Sequence, residues 1–241
     1  MIKIEQLLAL LKCNTEQTWC KTLFSLSRSH GFDQVLIGIV PNKHTALESA
    51  FIRSSYSAQW RNRYDSEKLH YVDPTVRHCL STNVPLIWSP ETFRTTPQKQ
   101  LYEEACGYGL RSGITYPIHG ANGEFGVVSF VSDVNAGKPF LRDVDHSLAN
   151  LALIRDYAFQ SSLRFANLTD NQEKEVIIST REKECLEWTM AGKTSWEIGT
   201  ILHCSESAIN YHMTNIRRKF GVNTRRQAVI KAITLGLIVP S

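Results

Sequence analysis

Two four-residue segments in the last third of the chain restrict its folding more than anything else in it. Thr194-Ser195-Trp196-Glu197 and Thr224-Arg225-Arg226-Gln227 are capping boxes. In each, the threonine oxygen and the Glu or Gln side chain take backbone N–H groups that would otherwise be free at a helix start. Stops are as well marked as starts. Thr180 caps a helix running to Ala191, Gly192 follows it, and Gly221 and Gly236 end two later helices. Only His203 and Cys204 separate a short helix ending near Leu202 from Ser205, which caps the next. That third helix sets Ile209, Met213, Ile216 and Phe220 at offsets 0, 4, 7 and 11, a single inward face. Its outward face carries Glu206, Ser207, Asn210, Tyr211, Thr214, Asn215, Arg217, Arg218 and Lys219.

A short helix, a tight turn and a longer helix with a polar, increasingly basic outer face match a helix-turn-helix. In such a module the first residues of the second helix reach base edges, and Arg and Lys beyond them meet phosphates. Glu206, Ser207, Asn210 and Tyr211 are the base-reading candidates, and Arg217, Arg218 and Lys219 the phosphate contacts. Thr194 and Ser195 at the start of the preceding helix, and Asn215, complete the DNA-facing set. The alternative is a four-helix bundle whose charged face is merely solvated. Charge bears on the choice. From Gly192 onward seven Lys/Arg stand against two Glu, so the last fifty residues carry +5 of a net +4 and the other 191 about −1. A basic module on a near-neutral body points to a polyanionic partner for the tail alone.

The first 165 residues read differently. Two helices open the chain, near 2–12 and 16–29. Gln34 to Val40 is a β-branched apolar run before Pro41-Asn42, and Ala50 to Ser54 is a second strand. Helical stretches near 57–68 and 74–81, a short strand at Leu86 to Trp88 and a helix from Gln98 to Tyr108 follow. Ser112 to His119 and Glu124 to Ser132 are strands joined across Asn122-Gly123, a pair suited to the positive φ angles of a tight hairpin. From Arg142 to Arg164 runs a long helix with Val144, Leu148, Leu151, Ile154 and Ala158 on its apolar side. Leu153, Tyr157 and Phe159 widen that arc enough for a partner as well as the sheet; full burial in its own domain is the alternative. Residues 166–176 are polar and aperiodic and read as a linker. The expected organisation is α+β: a domain over 1–165 with an antiparallel sheet and helices on its faces, then an all-α four-helix domain over 177–241.

Several function classes are excluded by what remains. The six cysteines show neither Cys-x-x-Cys nor zinc-ligand spacing and read as buried small hydrophobes in a reducing compartment, with no metal. No run of ~18 apolar residues is present to span a membrane, and the start lacks a cleavage site, so the expected location is the cytoplasm. Asp73, His78 and Cys79 lie close together, but no base-orienting partner or Gly-rich nucleophile turn accompanies them; no catalytic residue is expected.

The tail, from Thr180-Arg181-Glu182-Lys183-Glu184 through Lys193-Thr194-Ser195-Trp196-Glu197-Ile198 to Asn215-Ile216-Arg217-Arg218-Lys219-Phe220-Gly221-Val222, closely resembles the C-terminal domain of LuxR-type regulators. Glu182, Leu186 and Gly192 fall on hallmark positions. The N-terminal part resembles the acyl-homoserine-lactone receptors of that family through Tyr56, Trp60-Arg61, Tyr64, Asp73-Pro74-Thr75, Trp88, Gly113, Thr115 and Ser129, across essentially the whole chain. The resemblance implies an α/β/α sandwich with a five-stranded antiparallel sheet. It also implies a quorum-sensing activator that binds an N-acyl-homoserine lactone, needs no cofactor, dimerises, binds pseudo-palindromic promoter DNA and works with RNA polymerase. A ligand-independent regulator, one sensing another small molecule, and a protein that titrates other regulators by heterodimerisation are the other readings.

By the same resemblance, the Trp60 indole would donate to the lactone carbonyl, Asp73 would accept from the amide N–H, and Tyr56 and Ser129 would meet the amide carbonyl. Trp88 and Tyr64 would wall the head group beside Thr75 and Thr115, and Arg61 would reach a 3-oxo group. Leu36, Gly38, Val40, Ala50, Val76, Cys79, Leu110, Phe125 and Val127 would line a medium to long acyl tail. Phe93 stands where a similar receptor of the family has tyrosine, which removes a hydroxyl near the head group, and Phe125 and Val127 are bulkier than the roomiest tail pockets require. Without ligand, Asp73 is expected to be unpaired.

Overall fold

The computed structural model describes residues 2–168 and 177–239, which divide into two compact units between Asp170 and Asn171. Most of the stretch read as a linker, 169–176, lies outside the described residues; Leu168 packs on the core of the first unit.

In the first unit, helices α1 (Ile4–Lys12) and α2 (Glu16–Ser29) precede strands β1 (Gln34–Val40) and β2 (Phe51–Ser54). Helices α3 (Ala58–Ser66) and α4 (Pro74–Ser81), strand β3 (Leu86–Trp88) and helix α5 (Thr96–Cys106) follow, then β4 (Ser112–His119), β5 (Phe125–Ser132) and the long α6 (Lys138–Ser162). The five strands form one antiparallel sheet in the order β2-β1-β5-β4-β3. Because strand side chains alternate, each strand serves two faces. Val35, Ile37 and Ile39, Ile114, Tyr116 and Ile118, and Val128 and Phe130 all meet Leu10, Trp19, Leu23, Leu151 and Ile154 of α1, α2 and α6 in one core. The intervening residues face the other way, toward α3, α4 and α5.

Local departures from the expected boundaries have local causes. Helix α5 starts two residues before Gln98, because Thr95 caps it and Pro97 sits in its first turn. Helix α6 starts at Lys138 rather than Arg142, with Pro139 in its first turn, where a missing N–H is tolerated, and Phe140 buried in the core. The hairpin turn is longer than a two-residue one. Gly120 N–H donates to Glu124 O (2.8 Å), Gly123 N–H donates to Gly120 O (3.1 Å), and only Gly123 has a positive φ, +93°. The Glu124 carboxylate holds this turn by accepting from the Asn122 backbone and side chain. Cys79 and Cys185 are buried, but the other four cysteines are only half-buried. On α6, Leu141, Leu148 and Leu153 are exposed, so its apolar residues extend beyond the face packed on the sheet.

The second unit comprises α7 (Thr180–Met190), α8 (Ser195–Ile201), α9 (Glu206–Phe220) and α10 (Arg225–Thr234). Ser179, not Thr180, caps α7: its hydroxyl accepts from Glu182 N–H while the Glu182 carboxylate accepts from Ser179 N–H (2.7 Å). Both expected capping boxes form. Ile209, Met213, Ile216 and Phe220 are buried with Cys185, Leu186, Ile198 and Ala228, giving α9 the single inward face its spacing implies. The turn between α8 and α9 is tight enough to require Gly199, where a Cβ would lie 2.7 Å from the Cys204 carbonyl oxygen. Among the described residues no helix is long and apolar enough to cross a membrane.

Candidate functional site

The second face of the sheet builds a cavity. Pairing Leu36 with Ser129, Gly38 with Val127, Val40 with Phe125 and Thr115 with Ser129 puts these residues side by side on it. Trp60, Arg61 and Tyr64 of α3, Thr75 and Val76 of α4, and Leu101, Tyr102 and Ala105 of α5 close a volume of about 510 Å³ over them, within the usual range of small-molecule sites. Its walls differ in chemistry. One apolar cluster is aromatic, built on Trp60, Trp88, Phe93, Tyr56 and Tyr64; the other is largely aliphatic, with Val40, Leu47, Ala50 and Val127 around Phe125. Gly113 lies opposite Trp88 in the sheet, and a Cβ there would come within 2.5 Å of the indole. The glycine is thus what admits Trp88 to the aromatic wall.

Polar groups at the aromatic end form a connected set. The Trp88 indole donates to Thr115 Oγ1 (3.0 Å), which bonds Ser129 Oγ (2.8 Å). Asp73 caps α4 ahead of Pro74: its Oδ1 accepts from the Thr75 backbone (2.8 Å) and hydroxyl (2.7 Å), and its Oδ2 accepts from Tyr64 (2.8 Å). Asp73 is therefore not left unpaired; α4 and Tyr64 satisfy it within the chain. Burial still raises its pKa, and the bonds from Thr75 and Tyr64 only partly offset that. Burial likewise pushes the Tyr56 and Tyr64 hydroxyls above their ordinary range. Ser57 caps α3, so Trp60 and Tyr64 fall one turn apart on one face, with ring centroids 6.0 Å apart. The Trp60 indole N–H has no acceptor among the described residues, and its ring lines the cavity.

Tyr56, Trp60, Arg61, Tyr64, Asp73, Thr75, Trp88, Phe93, Leu110, Thr115, Ser129, Leu36, Gly38, Val40, Ala50, Val76, Phe125 and Val127 all line this one cavity. Cys79 does not. It packs behind the wall against Val40 and Phe125, and burial pushes its thiol up to about 12, far from a reactive thiolate. Arg61 lines the cavity but is ion-paired with Asp65 and lies over the Tyr64 ring, 5.0 Å from its centroid. Phe93 lies edge-on to Trp88, and the nearby phenol is Tyr102, whose hydroxyl donates to Arg111 O (2.7 Å). Sequence reasoning missed Leu47, Glu48 and His70, which enter from short 3-10 turns, and Leu101, Tyr102 and Ala105 of α5. The turns offered no periodicity to read. Helix α5 did, as Leu101 and Ala105 lie one turn apart.

In the second unit the polar face of α9 divides in two. Glu206, Ser207, Tyr211 and Arg218 are exposed, as are Thr194 and Trp196 at the start of α8; Asn215 is half-buried and bonds Arg218 (3.4 Å). Others are committed internally. Lys219 donates to the buried Glu182 carboxylate (2.7 Å) and to Ile177 O (3.0 Å), so it clamps α9 to α7 rather than standing free for phosphate. Burial works against the Glu182 charge, but Lys219 and the Ser179 N–H together hold its carboxyl below the usual range. Ser195 is buried, and its hydroxyl donates to Asn210 Oδ1 (2.8 Å). Arg225 Nη2 donates to both Ser195 Oγ and Asn210 Oδ1. The carbonyl end of Asn210 is therefore occupied, which leaves its amide NH₂ as the remaining polar end. Arg217 is half-buried and bonds Asn223 O (3.1 Å) and Thr214.

A ligand-sized cavity over one face of the sheet and a helix-turn-helix are matched by two family descriptions. Residues 15–162 match the autoinducer binding domain, and residues 176–232 match the bacterial regulatory proteins of the luxR family. The chain belongs to the LuxR family of autoinducer-binding transcriptional regulators. These proteins are not enzymes, and their small molecule is a signal rather than a cofactor. The chain is 36% identical to the transcriptional activator PhzR of Pseudomonas fluorescens over 192 residues, covering 78% of this chain and 75% of that one. It is 30% identical to the activator LuxR of Aliivibrio fischeri over 231 residues, 94% of this chain and 90% of that one. In three dimensions it is similar to Escherichia coli SdiA, with a TM-score of 0.67 and 25% identity over 98% of this chain and 97% of that one. These likenesses establish the family and the two-domain fold; they do not favour one individual receptor. Among the described residues no three His, Cys, Asp or Glu side chains are placed to hold a metal.

Proposed function

We propose that this protein is a quorum-sensing transcriptional activator whose N-terminal cavity encloses an N-acyl-homoserine lactone of medium to long chain. On binding, two copies pair and grip pseudo-palindromic promoter DNA through α9, acting with RNA polymerase in the cytoplasm. The observation that carries this reading is the division of one cavity into two chemistries. At the aromatic end, Trp60 offers an N–H donor, Asp73 an acceptor, and Tyr56 and Ser129 hydroxyls, matching a lactone carbonyl, an amide N–H and an amide carbonyl. At the aliphatic end, Val40, Val127 and Phe125 suit an alkyl chain. The exposed leucines of α6 supply an apolar surface for pairing. Arg61, the residue expected to meet a 3-oxo group, is held by Asp65, so that substituent does not follow from it.

A second reading comes from SdiA, whose structure in complex with octanoyl-rac-glycerol resembles this chain with a TM-score of 0.68 and 26% identity over 97% of this chain and 93% of that one. An acylglycerol has no amide N–H, so Asp73 separates the two. Thermal unfolding of the full chain with decanoyl-homoserine lactone or monodecanoylglycerol is the test. The lactone is expected to raise the melting temperature, and Asp73→Ala to shrink that rise at a given lactone concentration. No shift with lactones from six to fourteen carbons would leave the ligand-independent reading standing. At the DNA, Arg218→Ala is expected to weaken binding to operator and scrambled duplex alike and to lower the salt slope by about one. Lys219→Ala should instead destabilise the helical unit, because it strands a buried carboxylate.

A further inference from the structure

Hydroxyl groups bonded in a row take their direction from whichever member can act in one way only. At the aromatic end of the cavity that member is Trp88, because an indole N–H donates and never accepts. It donates to Thr115 Oγ1 (3.0 Å), and Thr115 lies opposite Ser129 across β4 and β5, with the two hydroxyl oxygens 2.8 Å apart. Among the described residues no other group bonds the Thr115 hydroxyl. Its hydrogen therefore has one acceptor, Ser129 Oγ. Were Ser129 to donate instead, the hydrogen of Thr115, a residue only 1% exposed, would be buried without a partner. Ser129 adjoins one further hydroxyl, that of Tyr56, and both residues line the cavity. Trp88, Thr115, Ser129 and Tyr56 bring one hydrogen each, and the three bonds between them use three. Whichever way Ser129 and Tyr56 bond each other, a hydrogen is left for the cavity.

A row that ends in a hydrogen calls for an acceptor opposite it. An amide carbonyl supplies one, whereas an amide N–H in that place would set hydrogen against hydrogen. Asp73 is the reverse, a carboxylate at the start of α4 that already draws donors from Thr75 and Tyr64. The cavity has a donor pole on β4 and β5 and an acceptor pole on α4. We infer that Trp88 and Thr115 are positioning residues which, through Ser129, turn the ligand amide one way, its carbonyl to the sheet and its N–H to α4. Thr115 acts through Ser129 and needs no bond of its own to the ligand. The inference rests on the lactone reading of the cavity.

A double-mutant cycle on the full chain tests it, read as the decanoyl-homoserine lactone concentration needed for a fixed rise in melting temperature. Thr115→Val keeps the shape and removes the hydroxyl, and should raise that concentration roughly three- to tenfold, the net contribution of one hydrogen bond. Thr115→Ser should respond like wild type. Ser129→Ala should raise the concentration at least as much, and adding Thr115→Val to it should raise it no further, because the row then leads nowhere. If Thr115 touched the ligand independently or merely held the sheet, the two losses would multiply; that result overturns the inference, as does a wild-type response from Thr115→Val or Ser129→Ala. Thr115→Val leaves the indole N–H without its acceptor. If that chain does not fold, the cycle is run on Trp88→Phe, where no donor is stranded, and the loss should again appear with Ser129 present and vanish without it. A wild type that responds to monodecanoylglycerol and not to the lactone would remove the lactone reading alone, and the same cycle then decides the positioning role on the ester carbonyl. No response to either compound would remove both.

Discussion

The two faces of the sheet are made from the same strands, one residue apart, and they solve opposite problems. Val35, Ile37, Ile39, Tyr116 and Phe130 pack against α1, α2 and α6 with almost no exposure, and even the polar atoms of that core are closed within the chain. The Trp19 indole donates to Ser161 Oγ (2.7 Å) and the Tyr116 hydroxyl to Leu148 O (2.8 Å). The other face surrounds about 510 Å³ with side chains that include an unbonded indole N–H and a buried, unbonded imidazole nitrogen. One face supplies the fold; the other gives up packing for a site that something else must complete. A strand in a sheet covered by helices on both faces can thus hold stability and recognition on alternate residues without compromising either.

Phe130→Ala would test the first half of that contrast hardest. Its ring lies against Phe32 and Tyr116, so truncation should cost about 3–5 kcal/mol, seen as a lower urea midpoint in the presence or absence of lactone. On the second face the largest effect should come from ligand. At a hundredfold excess over Kd a lactone should add about 2.7 kcal/mol, and the gain should vanish if the cavity is not its site. Asp73→Ala should weaken lactone affinity by about 1–3 kcal/mol and Asp73→Asn by less, since an amide oxygen still accepts. The pH dependence has a fixed sign. With its pKa raised in the folded state, Asp73 favours folding below its unfolded pKa and loses that contribution as pH rises through the folded value. The charged carboxylate is the stronger acceptor for the ligand N–H, so lactone affinity should weaken as pH drops through the Asp73 pKa in wild type and not in Asp73→Asn. Val127→Ala should do least to stability, about 1 kcal/mol, because its methyls face the cavity. It should move the preferred acyl chain toward greater length.

Much of this was legible because the physics is periodic. Leu36, Gly38 and Val40 share parity along β1, as do Phe125, Val127 and Ser129 along β5, so one register places all six together. Capping chemistry marked the tail helices, though it put one cap a residue late: the hydroxyl that accepts from Glu182 N–H is that of Ser179, not Thr180. What stayed hidden depends on distant partners. The Lys219–Glu182 pair, 37 residues apart, leaves no trace in the tally of charges, whereas Arg61 and Asp65, one turn apart on α3, were legible in the spacing. Cys79 lies on the right helix, but which way it points is decided by how α4 rolls on Val40 and Phe125. His70 and Glu48 come from turns that no hydropathy pattern marks.

The bonds joining Arg225, Ser195 and Asn210 have a consequence for how such a module could change its target. Asn210 lies in the first turns of α9, where the proposed DNA-binding reading would have a new side chain alter the sequence preferred, yet its carbonyl oxygen also ties α9 to α8 and α10. A substitution there therefore leaves a buried hydroxyl without its acceptor and the Arg225 guanidinium with Ser195 alone. Positions 195, 210 and 225 are bound to drift as a group, and a single exchange at 210 pays for new specificity with a looser helix pair. Descendants that retarget this helix should carry either a matching change at 225 or their novelty at Glu206, Ser207 and Tyr211, which are exposed and outside that network.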